Sequence, residues 1–364
     1  MYKRQAYEIN PQNVKVLENA LQVCLGAELF KKAESTCYSL AIVDPNNVSY
    51  WNTYKQITAY NKNYEKTLSA ILEIERIQGS SSKLLMEKSA IKQEQNNNEE
   101  AIKYLLKAYD IDDSNIEVIQ RLVSIYMENE NFSDAEFYNE ILLKEFSDDP
   151  SGFINASIIS LNNSSPQKAI DYLKPNIAKF DDNYSAHYLL GTSYYQIDDL
   201  VNSENHFIKA LSIFPGSRNS KHTLAMIYDQ NGSWVKSDSL YRELITTDTT
   251  DAQAYNNFAY SLVERNDNLE LALEMSIIAN RVQPKSAPYL DTLGWIYYKL
   301  EQYEKALEYV QKSYSLDNTN PVILEHLADI LKATNQISKA NLIYMQAIDI
   351  GGDSLLIQQK INIE

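Results

Sequence analysis

Apolar residues recur along this chain at two intervals, a short one of three to four residues and a long one of 34. From Ala287 to Pro321 the sequence reads APYLDTLGWIYYKLEQYEKALEYVQKSYSLDNTNP. Two stretches with the spacing of one buried helix face meet at a polar break near Glu301 and Gln302. The pattern predicts two helices of about three to four turns joined by a tight turn. The same block can be laid down from Val14, Val48, Ser82, Ile116, Pro150, Tyr184, Arg218, Ala252, Ala287 and Pro321, with one extra residue in the turn of the block from Ala252. Ten tandem hairpins over residues 14–354 are therefore expected.

The twentieth position of the block carries the strongest regularity. It holds Ala33, Thr67, Ala101, Ala135, Ala169, Ser203, Ser237, Ala272, Ala306 and Ala340, all small. A position that never enlarges is one where two helices approach too closely for a longer side chain. Position 7 is large and apolar in Leu122, Leu190, Leu224, Phe258, Leu293 and Leu327, and position 8 is small in Ser89, Ser157, Gly191, Ala225, Ala259, Gly294 and Ala328. Position 11 gives Tyr126, Tyr194, Tyr228 and Tyr297. Position 32 gives Pro45, Pro215 and Pro284, which end a helix. The block from Ser82 fits worst: Lys88 and Lys92 fall on apolar positions, and a local shift of helix register is expected there.

This period and these positions resemble the tetratricopeptide repeat, a helix–turn–helix unit. The resemblance is most specific at Leu290, Leu293, Gly294, Tyr297, Ala306 and Asn318, and at Leu190, Gly191, Tyr194, Ser203, Phe207, Ala210 and Pro215. It implies an all-α, right-handed superhelical solenoid of antiparallel helix pairs, whose first helices line a concave face that binds extended peptides or partner segments. The side chains that the resemblance turns inward are Tyr188, Thr192, Tyr195, His222, Met226, Asp229, Asn256, Tyr260, Asp291, Trp295 and Tyr298, with Asn52, Gln56 and Ala59 in an early block. Aromatic rings beside Asn and Asp make anchors with a polar handle, and Trp295, which the repeat signature does not require, is expected near the centre. Relatives that hold chaperone C-terminal tails do so with inward Lys, Arg and Asn. Asn256 fits that clamp in kind, but no lysine stands at the neighbouring inward sites, so a basic or polar-aromatic partner is expected instead. Residues 254–310 also look like the C-terminal part of large bacterial repeat proteins, many of them envelope lipoproteins. That likeness implies an adaptor at the cell envelope and leaves the cytoplasm open.

The two ends read differently from the blocks. Ala6–Pro11, AYEINP, matches the close of a second helix, so residues 1–13 are expected to be the tail of an earlier repeat; the missing signal peptide then says nothing of location. After Gly351 and Gly352, residues 355–364 are expected to form a capping helix started by Ser354, with Leu355, Leu356 and Ile361 over the core and Gln358, Gln359 and Lys360 in water.

Composition narrows the chemistry. Net charge is −16 over 364 residues, and no Lys/Arg cluster offers a nucleic-acid surface. No apolar run approaches the ~20 residues of a membrane span. The nine glycines form no phosphate-binding loop, and no HExxH or paired-cysteine motif occurs. The run DIDDSNIE (110–117) lacks the glycine of a calcium loop and reads as a turn entering a helix. His187 and His222 fall near each other on adjacent first helices without a third ligand. Cys24 and Cys37 sit at two core positions of one block and read as buried free thiols. Neither a cofactor nor a metal is expected, and oligomeric state is not legible. The reading is a non-catalytic scaffold for a protein or peptide partner. The alternative, the recognition arm of a larger enzyme whose catalytic domain lies upstream, stays open, as does a self-associating structural protein.

Overall fold

The structure is a computed structural model that describes residues 13–362; the tail of an earlier repeat expected over residues 1–13 lies almost wholly outside them. Among the described residues every regular element is helical. They form two compact units divided between Lys179 and Phe180. In the first, α1 (Val14–Gly26) pairs with α2 (Phe30–Val43), α3 (Val48–Tyr60) with α4 (Tyr64–Gln78), and α5 (Ser82–Glu94) with α6 (Asn98–Ile111). There too α7 (Ile116–Glu128) pairs with α8 (Phe132–Glu145), and α9 (Ser151–Asn162) with α10 (Pro166–Leu173). In the second, α11 (Tyr184–Gln196) pairs with α12 (Leu200–Ile213), α13 (Arg218–Gln230) with α14 (Trp234–Thr247), and α15 (Ala252–Glu264) with α16 (Leu269–Val282). Next come α17 (Ala287–Lys299) with α18 (Tyr303–Leu316) and α19 (Pro321–Ala333) with α20 (Ile337–Asp349), followed by α21 (Ser354–Asn362).

Capping chemistry sets the helix starts. Asn47, Asn97, Asn115, Asn183, Ser217, Asp251 and Asn320 each accept a backbone N–H of the following first turn, satisfying a donor with no partner inside the helix. The turn inside each pair ends its first helix the same way. In the turn after α17, Gln302 N–H reaches Tyr297 O at 2.9 Å and Glu301 N–H reaches Tyr298 O at 2.9 Å. That is the paired-bond helix ending that needs a left-handed residue. Glu301 supplies it at φ 58°, and Glu28, Lys62, Glu130 and Asp198 do so in other turns, whereas only the turn after α13 uses glycine, Gly232. An L-residue there costs about 1–2 kcal/mol, partly offset by the greater freedom glycine has when unfolded. Glu301→Gly is therefore expected to raise stability by about 0.5–1 kcal/mol; an unchanged or lower urea midpoint would refute the strain.

The pairs close on their small residues. Ala33, Ala101, Ala135, Ala169, Ser203, Ser237, Ala272, Ala306 and Ala340 are fully buried, and Thr67 nearly so. Where the small residue is polar its hydroxyl is satisfied: Ser203 Oγ donates to Gly191 O at 2.8 Å, and Thr67 Oγ1 to Asn63 O at 2.9 Å. Across the pair, the buried large residue beside position 8 fills what the small one leaves. Phe207 packs on Gly191 and Val310 on Gly294, so a Cβ at Gly191 would stand 3.0 Å from the Phe207 ring.

Three expectations are corrected here. The helix from Ser82 keeps its register despite Lys88, which is buried in an ion pair with Glu75 of α4 and lies 5.5 Å from the Tyr104 ring centroid. Lys92 pairs with Glu100 at 2.5 Å. The terminal helix is capped by Asp353, whose Oδ1 accepts from Leu355 and Leu356 N–H at 3.0 Å, not by Ser354. Its buried side is Ile357 with Ile361, whereas Leu355 and Leu356 are exposed, and Lys360 is held by acids instead of facing water. Finally, Cys37 is buried, with burial pushing its thiol up to about 12, but Cys24 is only half-buried; both are free.

The second helix of the fifth pair is short. Pro175 falls where the helix would need an N–H, α10 stops at Leu173, and a 3-10 turn over Lys174–Asn176 follows. The division between the two units comes just after it.

Candidate protein-binding face

All eleven candidate residues lie on first helices of the second unit. The structure sorts them by what covers them. Tyr188, Thr192, Tyr195, Met226, Asp229 and Tyr298 are half-buried, Tyr260 is exposed, and His222, Asn256, Asp291 and Trp295 are buried.

Trp295, Asp291 and His222 each have a local cause. Trp295 is 7% exposed. It stacks on His326 of α19 at 4.0 Å and on Tyr298 at 4.7 Å between centroids, with Lys299 Nζ 4.7 Å from the ring. Its Nε1 donates to Glu264 Oε1 at 2.9 Å. The expectation of an open tryptophan anchor is corrected: the neighbouring pair covers it. Asp291 Oδ2 bonds His326 Nδ1 at 2.8 Å. His222 Nε2 meets Asp251 Oδ2 at 3.0 Å, and Arg218 grips the same carboxylate at 2.7 Å. Burial would raise the Asp251 carboxyl, but Arg218, the Ala254 N–H and His222 together hold it below its ordinary range. Asp229 accepts from Tyr241 Oη at 2.8 Å and Ser261 Oγ at 2.7 Å, tying one pair to the next.

His187 and His222, read as neighbours on adjacent first helices, each have a separate partner. His187 Nε2 lies 3.1 Å from Asp181 O and its Nδ1 3.0 Å from His206 Nδ1. Nε2–H therefore donates to the carbonyl, and the neutral Nδ1 accepts from His206. A proton added to His187 would set two N–H groups against each other. Burial lowers the His187 and His222 pKa values below 6.5, although Asp181 and Asp251 oppose it. In this window the unfolded chain binds more protons, so stability is fully present above about pH 6.5 and falls as pH drops toward the depressed folded values. Lys209 and Tyr194 also face the histidine pair, through Asp181 and by stacking on His206. A urea midpoint of the second unit that stays flat from about pH 7.5 to about pH 5 would contradict this.

The inward stripe does not end at Tyr298. The structure continues it through Glu325 and Asp329, the equivalent positions of α19. Lys360 Nζ sits between them, 2.6 Å from Glu325 Oε1 and 2.7 Å from Asp329 Oδ2, while Tyr344 Oη donates to Asp329 Oδ1. Burial works against the Lys360 charge, but these two carboxylates outweigh it and hold the ammonium above its usual pKa. Reading the same two positions one repeat further would have found both acids. Tyr260 is 38% exposed. Desolvation and the carboxylates of Glu264, Asp291 and Glu325 push its phenol up to about 12. The face is thus aromatic and acidic, with its carboxylates fixed by neighbours. No group of three or more metal-ligating side chains occurs among the described residues, and no described helix is long and apolar enough to cross a membrane.

A tetratricopeptide repeat model matches residues 158–350, more than half of the chain, and a second such model matches residues 82–115. The chain belongs to the tetratricopeptide repeat family, a fold of protein–protein interaction scaffolds. Among similar proteins, the type IV pilus assembly protein PilF of Pseudomonas aeruginosa is 24% identical over 176 residues, 48% of this chain and 69% of that protein. A second repeat protein of the same organism is 24% identical over 105 residues, 29% of this chain but only 18% of its own length. The crystal structure of the APC/C hetero-tetramer Cut9–Hcn1 aligns with a TM-score of 0.57 at 14% identity, covering 96% of this chain and 76% of that one; the likeness is one of fold.

Proposed function

We propose that this protein is a non-catalytic adaptor that binds a segment of another protein along the first-helix face of its second unit. The carrying observation is Tyr260, an exposed ring framed by Glu264, Asp291 and Glu325, on a face whose core is already supplied by other positions. Half-buried Tyr188, Tyr195 and Tyr298 extend the aromatic stripe. Rigid rings with a polar tip gain contact area at little entropic cost, the property of interface anchors. The acid balance favours a partner with basic side chains. Similarity to a pilus assembly protein supports an assembly role, in which the repeat holds a component and does no chemistry itself. In a pull-down from the source organism, Tyr260→Ala with Tyr195→Ala should deplete the specific partner while circular dichroism stays unchanged. Retention of every partner by the folded double variant would reject this face.

A further inference from the structure

Away from that face, an open groove of about 510 Å³ lies between the second helices α16 and α18, with α17 packed against both. Its volume falls within the ~300–1,000 Å³ of sites that hold small ligands. Its floor includes Leu290 and Leu293, on the side of α17 turned from Asp291, Trp295 and Tyr298. Ile277 and Leu316 form apolar walls and are 38% and 51% exposed. The fold does not ask for apolar residues there. In other blocks the repeat position of Ile277 holds Glu140, Arg242 and Gln311, and that of Leu316 holds Glu145, Lys179 and Thr247.

The charge of the groove runs against that of the chain. Net charge is −16, yet the charged side chains that line the groove are both cations, Arg281 and Lys312. Arg281 is exposed and makes no side-chain hydrogen bond or ion pair among the described residues. Lys312 Nζ lies 2.7 Å from Glu308 Oε1 and 5.1 Å from the Tyr309 ring centroid. Its pair with Glu308 is exposed on both sides, a kind that contributes little, so the ammonium can change partner at small cost. Glu270 and Glu274 of α16 line a separate hollow.

We propose that the groove between α16 and α18 docks an acidic peptide segment, with a bulky apolar side chain between Ile277 and Leu316 and flanking carboxylates on Arg281 and Lys312. The apolar side chain leaves water against a floor that is already built. A carboxylate can accept two parallel N–H bonds from the Arg281 guanidinium, and the Lys312 ammonium serves a second one as a point charge. A basic segment would meet two like charges at the rim and is rejected. The groove is a second surface, opposite in charge to the first-helix face, and does not rest on the reading of that face.

The test is a titration of the methyl-labelled full chain, followed by NMR at the Leu316 and Ile277 methyls. The probes are the capped peptides Asp-Phe-Asp, Asn-Phe-Asn, Asp-Ala-Asp and Lys-Phe-Lys, with decanoate as a non-peptide acid. Asp-Phe-Asp should give saturable shifts at both residues. Asn-Phe-Asn and Asp-Ala-Asp should bind at least several-fold more weakly, and Lys-Phe-Lys not at all. Arg281→Gln should weaken the Asp-Phe-Asp response about tenfold. Ile277→Glu, which places in the groove the residue that Glu140 supplies in another block, should abolish the Leu316 response while methyl signals of the first unit stay in place. Tyr260→Ala should leave the response unchanged. Equal shifts with all four peptides, shifts with decanoate alone, no shift with any probe, or an Asp-Phe-Asp response indifferent to both groove substitutions would each overturn the proposal.

Discussion

Lys88→Ala is expected to cost about 1.5–3 kcal/mol, because the half-buried Glu75 carboxylate loses its charged partner and keeps only the Ser80 hydroxyl. Lys88 and Glu75 are the most buried Lys–Glu pair in the first unit, with side chains 7% and 15% exposed. Desolvation of two such charges is expensive, and their mutual contact is the main compensation beside the Tyr104 ring and the Ser80 hydroxyl, so removing one partner keeps much of the cost and loses most of the gain. Leu84, Leu85 and Ile91 of the same helix pack nearby in the core. The loss should appear as reduced hydrogen-exchange protection of α5 and α6, with the second unit less affected, since repeat stability is mainly a nearest-neighbour sum. Lys88→Met with Glu75→Leu should recover most of it, an apolar pair of similar volume often being neutral or better. A single variant that loses under about 1 kcal/mol would show the pair to be a solvated one.

Gly294→Ala is expected to cost about 3 kcal/mol, the upper end for overpacking. The added Cβ would overlap Val310 Cγ2 and stand 3.0 Å from Val310 N and 3.1 Å from Ala306 O. Two of those neighbours are backbone and Val310 is β-branched, so none can turn aside cheaply. The pair α17–α18 would have to separate, loosening Leu293 and the His326–Trp295 stack beside it. Val310→Ala in the same background should return part of the loss, by relieving the worst contact. A thermal midpoint equal to wild type would mean that the helices are not this close.

Fold was legible because it depends on local, repeated geometry. A small residue at Ala306 and its equivalents, a glycine at Gly191 and Gly294, and a polar break between them report helix contact within one hairpin. Partners a repeat away leave no such trace. Trp295 reads as an open anchor until His326 of the next pair is seen to cover it. Lys88 reads as a misfit because its carboxylate lies on the preceding helix. In the terminal helix, the choice between Leu355–Leu356 and Ile357–Ile361 depends on how the chain leaves Gly351, at φ 99°, which spacing does not encode. The acidic character of the candidate face was legible in outline from Asp229 and Asp291, whereas the roles of Glu264, Glu325 and Asp329 emerge through the donors that hold them.

The most direct test of the adaptor reading is site-specific photo-cross-linking in lysate of the source organism. A benzophenone side chain would replace Tyr260 on the first-helix face or Val235, 86% exposed, on a second helix. The account predicts a discrete cross-linked partner from position 260 that is absent from position 235 and is suppressed by excess unlabelled wild-type chain. The same partner captured equally from both positions, or captured from 235 alone, would contradict it.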